Sequence, residues 1–341
     1  MADDLRFGII GFGKMGRIRQ RTLEAIDGCS VTAICEPTDV EELPEGARFT
    51  HNPADIIGAP DVDVVVVCTP NFAIRDLVVA ALDAGQHVFA EKPPGRTLEE
   101  LDDMIAAEKR NPHLRLMFGF NHRHHESMVT AKRMIDSGEY GDLLWMRGRY
   151  GKSVDEGFFS TWRADKELAG GGILLDQGIH MLDLFLYLAG DLNIVQAQVS
   201  NLYWGLEIED NVFAIYGNDR GQSASLHSTM TQWRHIFSLE VFLSRGYIVL
   251  NGLKTSSNTY GDEELTVAKN RSVPPSASWS DEERIVYHVD ESWDREMRIF
   301  VDCLRTGAPV PLGNTEDARR VLRLVMATYE AGRTLQSVRI D

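Results

Sequence analysis

The chain has 341 residues, 43% of them hydrophobic, enough length and apolar content for two domains with a core each. Its formal net charge of −16 speaks against a nucleic-acid or anionic-membrane partner. The opening Met-Ala-Asp-Asp-Leu-Arg lacks a basic segment followed by an apolar one, and no apolar run reads as a bilayer span, so a cytoplasmic protein is expected.

In chain order, Phe7-Gly8-Ile9-Ile10 is an apolar strand running into Gly11-Phe12-Gly13-Lys14-Met15-Gly16, and helix-forming residues 14–26 follow. This is the Gly-x-Gly-x-x-Gly spacing of a dinucleotide loop. Gly11 allows the tight turn, Gly13 lets backbone N–H groups reach a pyrophosphate, and Gly16 lets the helix pack close to the strand. The helix N-terminus then faces the phosphates. Val31-Thr32-Ala33-Ile34-Cys35 supplies a second strand, ended by Glu36. Glu36 follows the last glycine by about the 20 residues expected of a ribose-binding acid, so NAD is favoured, with NADP left open by Arg17 nearby.

Beyond a turn-rich stretch (Pro37, Pro44, Gly46) and a short helix near 53–57, Val62-Asp63-Val64-Val65-Val66-Val67-Cys68 reads as a strand buried on both faces, and its carboxyl end carries Thr69-Pro70-Asn71. A helix over 72–84 stops at Gly85, and strand 87–90 is broken by Glu91-Lys92-Pro93-Pro94-Gly95. Thr97 with Glu100 makes a capping box for the next helix, and 114–118 closes the sheet. Alternating strands and helices call for a doubly wound parallel sheet, with ligands at the strands' carboxyl ends, where Gly11, Glu36, Thr69, Glu91 and Asn121 lie.

From about residue 143 the pattern becomes turn-linked strands, at 143–150, 194–202, 210–217, 222–230, 236–243 and 247–251, with shorter ones to about 289. A helical insertion at roughly 172–189 and amphipathic helices near 293–305 and 315–335 complete the chain. The expected fold is an α/β Rossmann domain over 1–122, then an α+β domain over 123–341 with a large open, mainly antiparallel sheet. Exposed aromatics on that sheet (Tyr203, Trp204, Trp233) point to a homodimer or homotetramer formed through it.

Several groups carry candidate chemistry. From spacing alone Lys92 is a loop cation, and Glu91 either orients it or serves as a structural ion-pair partner. Asp176 and His180 lie four apart in a helix-forming run and share a face, among apolar neighbours that make an unpartnered polar pair costly. His122, His124, His125 and Glu126 are spaced to scatter around a helix start, so a solvated turn is expected and a zinc site is not. Asn121 caps that helix or joins the site. Cys29, Cys35, Cys68 and Cys303 have no paired spacing, so neither a disulfide framework nor a cysteine metal site is expected.

The glycine fingerprint, Thr69-Pro70-Asn71, Glu91-Lys92-Pro93, Asn121-x-Arg123, Trp162-Arg163, and Asp176-Gln177-Gly178-Ile179-His180 after Gly170-Gly171-Gly172 together resemble the Gfo/Idh/MocA oxidoreductases over nearly the whole chain. The resemblance implies hydride transfer between NAD and a carbinol carbon of a sugar, inositol or sugar nucleotide, with no metal. It implies that Lys92 stabilises the reacting oxygen, that His180 takes the hydroxyl proton and that Asp176 orients the imidazole, with Lys92 as the base left open as the alternative. It makes Thr69, Pro70, Asn71, Glu91, Lys92, Asn121, Trp162 and Arg163 cofactor contacts, Arg123 a neighbour of the site, Asp183 a supporting residue and the Lys92–Pro93 bond cis. Two rival functions share the fold: an NAD-dependent glycosidase working by transient oxidation, and a dinucleotide sensor without turnover. Loops 151–168 and 252–262 are the expected specificity elements, and 252–257 with Tyr260 is similar to members that handle bacterial surface-glycan sugars.

Overall fold

The computed structural model describes residues 4–255, 257–271 and 273–340; the N-terminal Met1–Asp3, and Ser256 of the 252–257 stretch, lie outside the described residues. The chain forms two compact units, which do not follow a single cut at 122/123. The first takes the chain up to Asn121, Glu167–Gly170 and Trp293–Leu322; the second takes His122–Lys166, Gly171–Ser292 and the chain from Arg323 onward.

In the first unit the expected alternation appears as β1 (Leu5–Ile10), α1 (Lys14–Glu24), β2 (Cys29–Cys35), β3 (Arg48–Thr50), β4 (Val64–Val67), α2 (Asn71–Asp83), β5 (His87–Glu91), α3 (Leu98–Arg110) and β6 (Leu116–Gly119). The six strands are parallel in the order β3-β2-β1-β4-β5-β6, a doubly wound sheet whose order reverses beside β1. All four valines of β4 are fully buried, as a strand covered on both faces must be. Part of that cover arrives from far along the sequence: Met297, Phe300 and Val301 pack with Phe7, Ile9, Val64, Val66 and Phe89 in one cluster. Thr97 caps α3 by accepting from Glu100 N–H, but the Glu100 carboxylate reaches one residue further back, to Arg96 N–H at 2.7 Å and to the Arg96 guanidinium.

The second unit contains α4 (Glu126–Asp136), β7 (Leu143–Ser153), α5 (Lys166–Ala169, its last three residues in the first unit), α6 (Ile179–Ala189), β8 (Ile194–Ser200), β9 (Asn211–Gly217), β10 (Ser223–Thr229), β11 (Thr231–Leu243), β12 (Gly246–Asn251), β13 (Glu263–Lys269) and β14 (Glu283–Tyr287). The chain ends with α7 (Ser292–Thr306), α8 (Thr315–Thr334) and β15 (Val338–Arg339). Nine strands form one sheet, ordered β14-β13-β12-β11-β7-β10-β9-β8-β15, antiparallel except for the β7–β10 pair. Helix α6 lies directly on β7, where a Cβ on Gly148 would come within 2.5 Å of Met181 Cγ. Small backbone on the strand and large apolar residues on the helix give this close approach.

The run Lys166–Ala189 is long and apolar enough by length and composition to cross a membrane, contrary to the expectation from the sequence. Of its most apolar window 83% is buried inside the protein, so its hydrophobicity serves a core. All four cysteines are free.

Candidate active site

The first unit holds the glycine loop. Gly11 has φ +93°, and a Cβ there would lie 2.6 Å from Cys68 carbonyl atoms, so only glycine fits. A Cβ on Gly16 would stand 2.2 Å from Gly11 O, which is the close helix–strand packing its spacing predicts. Gly13 differs: a Cβ there would meet nothing within 4 Å. It sits at the N-cap of α1 with no side-chain cap and no acidic residue in the first turn, leaving that helix end to an anion. The Phe12 ring belongs to the core and carries the Arg17 guanidinium over its face, so Phe12 offers the site only backbone. Lys14 is exposed and Met15 half-buried beside the loop.

Glu36, at the end of β2, turns its carboxylate to the loop and accepts from Phe12 N–H. Thr69, just beyond the end of β4, has a buried hydroxyl with no hydrogen-bond partner among the described residues. An open glycine face, an uncapped helix end, a strand-end carboxylate folded onto the loop and an orphaned hydroxyl together fit a nicotinamide dinucleotide. Pro70 precedes α2, and Asn71 is tied down inside the unit, donating to Ala169 O at 2.8 Å.

Lys92 follows β5 and its bond to Pro93 is cis. The preceding Glu91 is held by a residue the sequence did not mark: fully buried Arg19 donates from Nε to Glu91 Oε1 at 2.7 Å and from Nη2 to Glu296 Oε2 at 2.7 Å. Its guanidinium also lies over the rings of Phe89 and Trp293. Burial opposes the Arg19 charge, but Glu91 and Glu296 outweigh it and keep the guanidinium protonated. The ion-pair role read for Glu91 is therefore observed. Arg19 sits on α1, and its partners are 72 and 277 residues away.

In the second unit, Leu174–Gly178 winds as a π-helical turn before α6 begins. Asp176 stands between Lys152 Nζ at 3.5 Å and Arg163 Nε at 3.6 Å, and Arg163 stacks on Trp162. His180 lies flat against His122, the ring centroids 3.8 Å apart and the planes 15° off parallel. The turn is anchored by Glu209, which accepts from Gly172 N–H at 2.8 Å, Leu174 N–H at 2.9 Å and Tyr329 OH at 2.9 Å. Burial raises the Glu209 carboxyl pKa, against those hydrogen bonds. Gly172 is required here, since its Cβ would fall 2.1 Å from Glu209 O.

The solvated turn expected at 122–126 is wrong: His122, His124 and His125 are buried. Long-range partners fill what local spacing left open. His122 Nε2 pairs with Tyr150 OH at 2.9 Å and His125 Nδ1 with Glu263 Oε2 at 2.9 Å. Arg123 forms a bidentate pair with Asp183, Nε to Oδ2 at 2.8 Å and Nη2 to Oδ1 at 2.5 Å, both side chains buried. Asn121, also buried, opens the short 3₁₀ turn Asn121–His124 that carries them. The Tyr150 and Tyr260 rings meet edge to face, centroids 5.6 Å apart; burial first, then Tyr260, holds the Tyr150 phenol well above its ordinary range, and burial pushes Tyr260 up to about 12. Among the described residues no cluster of His, Cys, Asp and Glu has the makings of a metal site.

Both halves match known protein families: residues 5–120 match the oxidoreductase family with an NAD-binding Rossmann fold, and 128–249 the GFO/IDH/MocA C-terminal domain. The chain belongs to the Gfo/Idh/MocA family. Among its relatives, the levoglucosan dehydrogenase of Pseudarthrobacter phenanthrenivorans is 33% identical over 212 residues, 58% of this chain and 54% of that protein. The chain thus spans about half the length of this relative. The myo-inositol 2-dehydrogenase of Thermotoga maritima is 25% identical, with 99% of each chain aligned. A solved levoglucosan dehydrogenase in complex with NADH and levoglucosan superposes with a TM-score of 0.85 at 25% identity, covering 98% of this chain and 99% of that one. Lys152 beside Asp176, Tyr150 beside His122 and Arg19 beside Glu91 are partners of the candidate residues that the sequence alone did not single out. A lysine or tyrosine on an alternating strand, and an arginine in a helix, carry no local signal of their partners.

Proposed function

We propose that this protein is an NAD-dependent dehydrogenase acting on a CH–OH group of a sugar, an inositol or a related cyclic polyol. The observation that carries the reading is the open face of Gly13 at an uncapped helix N-terminus, with Glu36 folded onto the same loop, in a chain of this family. Bound NAD supplies the hydride acceptor. The glycine-loop amides and α1 would hold its pyrophosphate, Glu36 would accept from ribose hydroxyls, and Thr69 would donate its buried hydroxyl to it. In the reaction the carbinol C–H leaves as hydride, the O–H proton passes to His180, and C–O becomes C=O. Lys92 donates a hydrogen bond to the oxygen as negative charge builds there. Asp176, between Lys152 and Arg163, keeps its carboxylate in place for substrate hydroxyls and for the orientation of His180.

A screen of polyols, free sugars and nucleotide sugars, read at the absorbance of reduced cofactor, tests the reading. Lys92→Met is expected to lower turnover about 10²–10³-fold while NADH binding persists. Glycoside cleavage without net NADH would favour the glycosidase. Tight dinucleotide binding without turnover on any class would favour a sensor.

The same reading includes a cytoplasmic protein that assembles through the second unit's sheet. Phe213 and Ile215 on β9 are more than half exposed, and with Arg147, Arg149 and His227 they line a hollow of about 600 Å³. Tyr203 and Trp233 are exposed as expected, but Trp204 is half-buried, donating to Met230 O at 2.9 Å. Ile215→Asp is expected to lower the solution mass measured by light scattering; an unchanged mass removes this face from the assembly.

A further inference from the structure

We propose that His122 is a positioning residue for His180, a role that rests on reading His180 as the proton acceptor. A polar ring buried against another polar ring needs its own support, and His122 has it. His122 is fixed at Nε2 by the Tyr150 hydroxyl at 2.9 Å, and Tyr150 keeps its proton because burial and Tyr260 raise its ionisation. The phenol is therefore a permanent neutral partner, linked through Tyr260 to the 252–262 loop. Phe237 closes the side of both rings, edge-on to Tyr150 at 5.5 Å and to His122 at 6.0 Å.

The backbone is pinned at two consecutive residues. His122 meets His180, and Arg123 grips Asp183, three residues further along α6, with two charge-assisted hydrogen bonds. Two contacts on one helix face fix both the position and the tilt of the 3₁₀ turn. His122 can then set the plane of the His180 ring, and hence the direction in which its nitrogen lone pair points. Proton transfer depends steeply on that direction, since misplacement of a reacting group by about 1 Å can cost 10²-fold in rate.

The test is a double-mutant cycle on the full-length protein with NAD and the substrate found by the screen. His122→Phe keeps a flat ring and loses the bond to Tyr150; Tyr150→Phe removes only the hydroxyl and is the milder variant should His122→Phe unfold. Each is expected to lower kcat about 10–100-fold with KM and NADH affinity within about twofold of the parent. In a His180→Ala background, neither substitution should lower the residual rate further. Equal losses in both backgrounds, or full activity of His122→Phe beside an inactive His180→Ala, overturn the role of His122 alone. Full activity of His180→Ala overturns the proton-acceptor reading, and with it anything for His122 to position.

Discussion

Replacing Arg19 by Met should destabilise the first unit far more than a surface arginine would, through the two carboxylates it leaves behind. Arg19 and Glu296 are fully buried, Glu91 is nearly so, and both guanidinium contacts are 2.7 Å. Removing one partner of a buried ion pair costs about 3–5 kcal/mol because the remaining charge has neither water nor counterion. Two carboxylates share this cation, while the methionine still fills part of the space over Phe89 and Trp293; a loss of about 4 kcal/mol is expected. At about 2–4 °C per kcal/mol that is a fall in melting temperature of about 8–16 °C. The penalty is electrostatic, so the gap should narrow as pH falls toward about 4, where free carboxylates protonate. Converting Arg19, Glu91 and Glu296 all to Met should recover most of the loss, because apolar residues of similar volume replace a buried triad at little cost. Thermal melts between pH 8 and 4 read all three outcomes. Arg19→Met melting within about 2 °C of the parent, or a triple variant no better than the single, would refute the reasoning.

The two glycines that flank the start of α1 should separate folding from binding. Gly16→Ala pushes a Cβ to 2.2 Å from Gly11 O and should cost about 1–3 kcal/mol, whereas Gly13→Ala, with φ −71° and open space, should melt like the parent yet bind NADH at least about tenfold more weakly in a fluorescence titration. Glu36→Ser should narrow the preference for NADH over NADPH by about tenfold or more in measured Kd values, since a carboxylate facing the loop repels a 2′-phosphate. Burial would raise Glu263, but bonds from the His125 ring, Ser127 N–H and Lys254 N–H hold it below the usual carboxylate range. A depressed folded-state pKa contributes stability that is present above the unfolded value of about 4.3 and is lost as pH falls through the folded one, so Glu263→Gln should flatten the acid limb of urea midpoints measured from pH 6 to 3.

How much of this protein is legible in its sequence depends on the range of the forces involved. Strand β1 running into Gly11, Gly13 and Gly16, the buried valines of β4, and the change to alternating strands after residue 143 are local patterns, set by steric limits and by period 2 or 3.6, and they determine both sheets. The glycine loop and Glu36 were readable for the same reason, because a tight turn and a strand-end acid announce themselves within 30 residues. What tertiary structure decided is pairing. Nothing near Arg19 foretells Glu296, nothing near Glu209 foretells Gly172, and the histidines at 122–125 read as a wet turn until Tyr150, His180 and Glu263 arrive from other elements to bury them. The π turn before His180 belongs to the same class: Glu209, itself held by Tyr329, anchors the amides that lead into it from a distance. A buried polar group is stable only with its partner, and that partner is chosen by the fold, not by the neighbouring residues.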